Sequence, residues 1–253
     1  MGNSLDSYES LEYDKIQFKT GDILLFSGQG GMSGLIKCAT FSPWSHVGIV
    51  LRFPFQFKGS EDGLYLLHSY NEEFGTDVIS GDQKEGVQLN VLKDAIVRYK
   101  KEGGRVFIRS APKSFDEYAH KDDFINWLKG NDPKAYEKSY YQLASSQIDC
   151  CCLPCFKNTG DNSSYFCSEL VRDVLSKFKI DMLYGEYSDE ITPVDLSSSA
   201  YGFWCEPKID LSDIGWKEEA EIEISRSKKR TVKTRRSKPS STTIYIKLDN
   251  KDF

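Results

Sequence analysis

Short runs of apolar residues, which are typical of buried strands, alternate along this chain with segments in which apolar residues follow helical spacing. Four such runs predict strands: DILLF at residues 22–26, WSHVGIVL at 44–51, LYLLHS at 64–69 and RVFIR at 105–109. Helical spacing predicts helices at residues 115–128 and 165–178, and a weaker pattern predicts a third near 134–146. Together these elements predict an α+β domain in which helices flank a small antiparallel sheet or barrel.

A glycine-rich segment, residues 28–34, follows the first predicted strand. A phosphate-binding loop would end in Lys-Ser or Lys-Thr, and a dinucleotide-binding loop would have its third glycine where this chain has Ser33. We therefore interpret the segment as a flexible connection or as one wall of a cleft.

Length and composition describe a chain with its own hydrophobic core: 253 residues, of which 39% are hydrophobic and 28% charged. No run approaches the roughly 18 apolar residues that a membrane span needs. The N-terminus, MGNSLDSYESLEYDK, is polar and acidic, whereas a signal peptide is basic and then apolar. We therefore expect a protein on the cytosolic side that is not secreted, with its seven cysteines reduced.

Charge is distributed unevenly along the chain. Residues 226–238, RSKKRTVKTRRSK, carry eight basic residues and no acidic one, although the formal net charge of the whole chain is −5. This distribution predicts three parts: an N-terminal leader at residues 1–15, a folded domain at 16–216, and an acidic-then-basic, largely disordered tail at 217–253.

Cys167 lies in the stretch SSYFCSELV, at the start of the last predicted helix. On a helical wheel it lies at the centre of the apolar face, which is typical of a buried core cysteine. However, Asn162, Ser163 and Ser164 are capping residues that place Cys167 in the first turn. Unpaired N–H groups there lower the pKa of a thiol and stabilise an oxyanion. Cys167 is therefore a candidate nucleophile, provided that a base faces it.

His46 is the best candidate for that base. Alternation along its strand places His46 and Gly48 on the face opposite to three aliphatic residues, and Gly48 leaves room for a substrate or for the close approach of a helix. By the same alternation, pairing of the two strands would let His68 hydrogen-bond His46 and orient its ring. Taken alone, each histidine also fits a satisfied structural residue.

The motifs TGDILLF, SHVGIV and YFCSELV, followed by TPVDL, carry a resemblance to a known family. In this order they resemble the permuted NlpC-type papain-like thiol hydrolases, the YiiX/YaeF group, which are distant relatives of the lecithin:retinol acyltransferase-like enzymes. In that group the histidine precedes the cysteine, as it does here. The resemblance covers most of residues 18–200 and implies a circularly permuted papain-like fold.

The resemblance also implies roles for three residues. Cys167 corresponds to the nucleophile, His46 to the general base, and His68 to a third polar residue on the following strand. YiiX-type sequences usually have Glu at that third position, whereas acyltransferase-like members have His. The implied chemistry is acyl transfer: Cys167 attacks an amide or ester carbonyl, and water or a second acceptor resolves the thioester.

Trp44, Tyr165 and Phe166 are candidate walls of a substrate cleft, with ordinary core packing as the alternative. No cofactor is implied. Cys152 and Cys155 form a C-x-x-C, but no second pair stands at zinc-ligand spacing, so no metal site is predicted.

Three features point to a membrane surface. Gly2 is a candidate for myristoylation, although the pattern asks for Ser or Thr where this chain has Asp6. The run DCCCLPCF resembles a palmitoylation cluster, with a buried or redox-inert loop as the alternative; its candidates are Cys150, Cys151, Cys152 and Cys155. The basic tail would attract anionic lipid, or act as a nuclear signal or nucleic-acid arm. A nucleic-acid partner is disfavoured because the rest of the chain lacks a basic, aromatic-lined face.

The leading prediction is a cysteine hydrolase or acyltransferase acting on a small-molecule, lipid, lipidated or peptide substrate near a membrane. One alternative is an inactive papain-like binding or scaffold module at membranes. Another is a protease or deamidase that uses the same Cys-His pair on proteins.

Overall fold

The computed structural model describes residues 5, 8–39, 42–53, 57, 59–70, 74–136, 164–180, 191–198 and 211–224. Seven strands of this part form one sheet: β1 (Glu9–Glu12), β2 (Ile23–Ser27), β3 (His46–Arg52), β4 (Leu64–Tyr70), β5 (Gly86–Val91), β6 (Arg105–Arg109) and β9 (Glu219–Glu223). Two short strands, β7 (Ala135–Tyr136) and β8 (Ser164–Tyr165), pair separately. The helices are α1 (Gly31–Ala39), α2 (Leu92–Lys101), α3 (Asp116–Ala119), α4 (Asp122–Asn131) and α5 (Cys167–Lys177).

The strand order in the main sheet is β1-β9-β6-β2-β3-β4-β5. Neighbouring strands are antiparallel, except for the parallel pair of β1 and β9. The predicted α+β class is therefore confirmed, and the sheet is larger than expected and mixed. The circularly permuted papain-like topology stays a prediction.

Each face of the sheet is covered by a helix. The apolar side of α5 packs with Ile23, Leu25 and Val47 in one buried cluster. The apolar side of α2 packs with Leu24 and Phe26 in another. Because both faces of β2 and β3 are covered, successive residues of these strands are apolar. Such continuous apolar runs are the pattern from which the sequence predicted them.

The four predicted strands are confirmed as β2, β3, β4 and β6. The helix predicted at 115–128 is two helices, α3 and α4; Asp122 and Asp123 start the second, where acidic side chains stabilise a helix N-terminus. The weak helical pattern near 134–146 is wrong at its start, because residues 135 and 136 form β7; its remainder lies outside the described residues.

Several elements were not predicted. The glycine-rich segment leads into α1, which begins at Gly31, so only its first part is a connection. β5 and α2 follow one another without a turn signal, and β5 alternates buried valine and leucine with buried polar residues. Polar residues on a covered face weaken the strand pattern, and the segment was therefore overlooked.

The sheet corrects the predicted domain boundaries at 16 and 216. β1 precedes this range and β9 follows it, yet β9 lies between β1 and β6. Ile222 is 0% exposed, and the carboxylate of Glu221 accepts hydrogen bonds from the Arg105 guanidinium at 2.6 and 3.1 Å. The acidic character of residues 219–223 is therefore balanced by a basic partner on the neighbouring strand, which composition cannot reveal.

Replacing Ile222 tests whether β9 contributes to folding. Ile222→Ala is expected to lower the free energy of unfolding by about 2–5 kcal/mol, because it leaves a cavity at a buried position. Glu218→Ala, at an exposed position just before β9, is the control and should change it little. Denaturant unfolding measures both; equal, negligible effects would mean that residues 217–224 are indeed a tail.

Candidate active site

The start of α5 docks where β3 and β4 cease to pair. The two strands pair from Ile49 and Leu67 to Arg52 and Leu64. Continuing this register would pair Val47 with Ser69, but both residues contact the α5 segment. The backbone N–H of Val47 hydrogen-bonds the sulfur of Cys167, and the Ser69 hydroxyl donates to the carbonyl of Tyr165 at 2.8 Å. The Cys167 thiol therefore lies beside the peptide bond that joins His46 to Val47.

Phe166 is the N-cap residue of α5, and Cys167 is its first helical residue. The Phe166 N–H donates to the carboxylate of Glu169 at 2.8 Å, and the Ser168 hydroxyl donates to the carbonyl of Ile191 at 2.5 Å. The capping predicted for the Asn-Ser-Ser segment is corrected: Ser164 belongs to β8, and the two residues before it lie outside the described residues. Glu169, three residues after the cap, satisfies the N-cap N–H instead.

Cys167 is 4% exposed, and burial raises the pKa of its thiol to about 12. The N–H groups of Val47 and Ser168 act in the opposite direction, but they do not outweigh the loss of water around the sulfur. The lowered pKa that we predicted from the helix start is therefore wrong. The thiol is protonated at neutral pH.

A chain of hydrogen bonds connects His46, His68 and Asn90 across three adjacent strands. The Asn90 amide nitrogen Nδ2 donates to the carbonyl of Thr76 at 3.0 Å, which turns Oδ1 towards His68. Asn90 Oδ1 then accepts from Nε2–H of His68 at 2.7 Å, and Nδ1 of His68 accepts from Nε2–H of His46 at 2.9 Å. The expected bond between the histidines is present. The network leaves Nδ1 of His46 with a lone pair.

Burial also keeps both histidines neutral. It lowers the pKa of His46 well below its usual value, with a further contribution from His68. It lowers the pKa of His68 to about 4, although the Asn90 hydrogen bond and the charge of Asp77 act in the opposite direction. Together with the protonated thiol, these shifts give a neutral thiol–imidazole arrangement, and the thiolate–imidazolium couple expected from the sequence is corrected.

Gly48 explains how the two histidine strands come so close. A Cβ atom at this position would lie 2.7 Å from a methyl group of Leu66, 3.1 Å from Cβ of His68 and 3.1 Å from the carbonyl oxygen of Leu67. The space beside His46 is therefore filled by β4. Gly48 serves the close approach of a strand, and the predicted room for a substrate or a helix is not there.

Aromatic rings surround the histidine pair. The rings of Phe26 and Tyr70 lie 5.1 and 4.9 Å from that of His46, and Phe74 lies 5.1 Å from His68. These contacts exclude water from one side of the chain of hydrogen bonds. None of the three aromatic residues was predicted to belong to the site.

A group of hydroxyls lies next to His46 along the chain. The Ser45 hydroxyl accepts from the N–H of Gly28 at 2.9 Å and lies 3.3 Å from the hydroxyl of Tyr99, a residue of α2. Burial raises the pKa of Tyr99 to about 12. These contacts connect the end of β2, the start of β3 and α2 beside the candidate base. No sequence pattern predicted this group of hydroxyls.

The three predicted cleft residues differ in their surroundings. Trp44 is 0% exposed and its ring packs against Tyr8 and Phe107, so its assignment to a cleft wall is corrected to the core. Tyr165 is buried as well and donates a hydrogen bond to Asp173 at 2.8 Å. Phe166 is half-buried beside Cys167 and remains a candidate for substrate contact.

The lipidation candidates Gly2, Cys150, Cys151, Cys152 and Cys155, like the basic segment 226–238, lie outside the described residues. Within the described ranges, no group of three or more His, Cys, Asp and Glu side chains could hold a metal ion. None of the helices in the described ranges has the length and apolar character of a membrane span.

Comparisons with known proteins leave the family open. The chain matches no protein-family model and no curated protein. Among solved structures it is similar to a crystal structure of the metalloprotein yiiX from Escherichia coli O157:H7, with 14% identity and a TM-score of 0.44 over 83% of this chain and 99% of that chain. At this level of similarity, the family assignment from the motifs stays a prediction.

The protonation state of Cys167 can be measured directly. We expect no thiolate absorbance from this residue between about pH 6 and pH 9, because its pKa is about 12. The measurement is the ultraviolet difference spectrum between the wild type and Cys167→Ser, which cancels the other six thiols. A difference signal that develops near neutral pH would contradict the neutral arrangement.

Proposed function

We propose that this protein is a cysteine hydrolase or acyltransferase, with Cys167 as nucleophile and His46 as general base. One observation carries the proposal: the Cys167 sulfur lies at the His46–Val47 peptide, while His68 holds the His46 ring in the tautomer whose Nδ1 can accept a proton. Thiol catalysis requires a nucleophile together with an oriented base, and these two contacts support that assignment.

The proposed reaction begins from neutral groups. As the sulfur forms a bond to the substrate carbonyl carbon, Nδ1 of His46 takes the thiol proton, and the carbonyl electron pair moves to the oxygen. N–H groups at the start of α5 stabilise the resulting oxyanion. The intermediate then expels an amine or alcohol, which takes the proton from His46 and leaves a thioester on Cys167. Water or a second acceptor resolves this thioester.

The apolar surroundings favour an acyl substrate without charge near the reacting carbonyl. Cys167 belongs to the same buried cluster as Val47 and Leu170, and aromatic rings enclose His46. A charged group placed there would lose its hydration without an opposite partner. This supports a lipid or lipidated substrate over a charged peptide.

We also propose that the protein acts on the cytosolic side of a membrane. The support is in the sequence: Gly2, the cysteine cluster of residues 150–155 and the basic segment 226–238 are three separate signals. One acyl chain binds a membrane only marginally, whereas two signals together anchor a protein stably.

A second candidate function is the inactive binding module. The burial of Cys167 and its raised pKa favour it, since a protonated, enclosed thiol reacts slowly unless a substrate opens the site. The two candidates predict different extents of Cys167 acylation when the protein is incubated with an activated acyl ester.

The test uses p-nitrophenyl esters of short and long acyl chains, with the adduct detected by intact mass and peptide mapping. We expect a hydroxylamine-sensitive acyl group on Cys167, and loss of the general base in His46→Ala should slow its formation about 10²- to 10⁴-fold. Cys38→Ser is the matched control, because Cys38 is an exposed thiol on α1.

If the protein is an enzyme, acylation of Cys167 in Cys38→Ser should proceed as it does in the wild type. Acylation that is confined to exposed thiols, or that proceeds equally without His46, would favour the inactive module. Comparison of N-acyl amino acids, phospholipids and short peptides as substrates then identifies the bond that is cleaved.

A further inference from the structure

Asn90 has a buried amide whose two ends are both engaged. It lies on β5 and is 3% exposed. Its Nδ2 donates to Thr76 and its Oδ1 accepts from His68, so the amide cannot turn over without losing both bonds. Because water is excluded, each of those losses would leave a buried polar group unsatisfied. The orientation of the amide is therefore determined by the fold.

The carbonyl of Thr76 is itself held in place by β5. Thr76 forms an isolated β-bridge with Gln83, which closes the loop between them. Asp77 Oδ1 accepts from the N–H of Leu89 at 2.7 Å, and the N–H of Val78 donates to the carbonyl of Leu89 at 2.8 Å. The loop is thus bound to the residue that precedes Asn90, and it provides a rigid acceptor for the amide.

An acceptor at Oδ1 decides where the protons of both imidazoles lie. His68 must carry its proton on Nε2 to donate to Asn90, so its Nδ1 is bare. His46 must then carry its proton on Nε2 to donate to His68. We propose that Asn90 is a positioning residue, which sets the tautomers of His68 and His46 and so leaves Nδ1 of His46 free to take the thiol proton.

The consequence for tautomers follows from the hydrogen bonds alone, whereas the consequence for rate rests on the proposed function. With an apolar residue in place of Asn90, Nε2–H of His68 would have no acceptor. The proton of His68 would then move to Nδ1 and face His46, which would have to accept at Nε2 and carry its own proton on Nδ1. In that state the nitrogen left for the thiol is already protonated.

The test is ¹⁵N NMR of the imidazole nitrogens at about pH 8, where a histidine of lowered pKa is neutral. In the wild type we expect the Nε2–H tautomer for His46 and His68. In Asn90→Leu we expect both to change to Nδ1–H, and Cys167 acylation to fall about 10²- to 10⁴-fold, as loss of a correctly protonated base predicts.

Gln88→Leu is the matched control. Gln88 is a buried amide two residues away on the same face of β5 and is the direct cross-strand neighbour of His68, but its side chain donates to the carbonyl of Lys84. This substitution makes the same change from amide to apolar group, but it should leave both tautomers as they are. If Gln88→Leu changes them as Asn90→Leu does, the effect is general to the strand and the role of Asn90 is overturned.

Asn90→Asp keeps an acceptor oxygen towards His68 and should therefore keep the Nε2–H tautomers. This variant tests the role of Asn90 if Asn90→Leu does not fold. Unchanged tautomers in folded Asn90→Leu, or Nδ1–H in Asn90→Asp, would overturn the inference. Tautomers that change as expected in a protein that no ester acylates would uphold the role of Asn90 and reject the proposed function.

Discussion

Exclusion of water from one end of the sheet is the constraint on which the site depends. His46, His68 and Asn90 lie on three adjacent strands, and all three are buried. Buried polar groups need protein partners, so each side chain is oriented by the next. The register of β3, β4 and β5 therefore determines the geometry of a hydrogen-bond chain, and through it the protonation of each ring.

The same constraint determines the electrostatics of the site. Burial raises the pKa of Cys167 and lowers those of His46 and His68, so all three are neutral at rest. In the proposed reaction, charge separation takes place only when His46 takes the thiol proton and becomes an imidazolium that donates to Nδ1 of His68. The hydrogen-bond chain is already arranged to stabilise that charge, which is the form of preorganisation that lowers a barrier without reorientation.

The two helices that cover the sheet have different tasks. α2 covers the face that carries the histidines, and the hydroxyl of its Tyr99 lies 3.3 Å from that of Ser45, the residue just before β3. α5 seals the opposite face and brings Cys167 to the same end of β3, at the backbone of Val47. Cys167 thus reaches the backbone of the first residues of β3, where pairing with β4 has ended, from the face opposite to the one that carries the histidines.

Local patterns along the chain determined much of this: the continuous apolar runs of β2 and β3, the alternation that pairs His46 with His68, and the helix that begins at Cys167. Asn90 was missed because its strand, β5, was not predicted, and without that strand nothing in the sequence places Asn90 next to His68. Three other predictions were wrong: Trp44 as a cleft wall, residues 219–223 as part of a tail, and a lowered pKa for Cys167. Burial and charge balance depend on which distant segments cover a residue, and only the tertiary structure decides that.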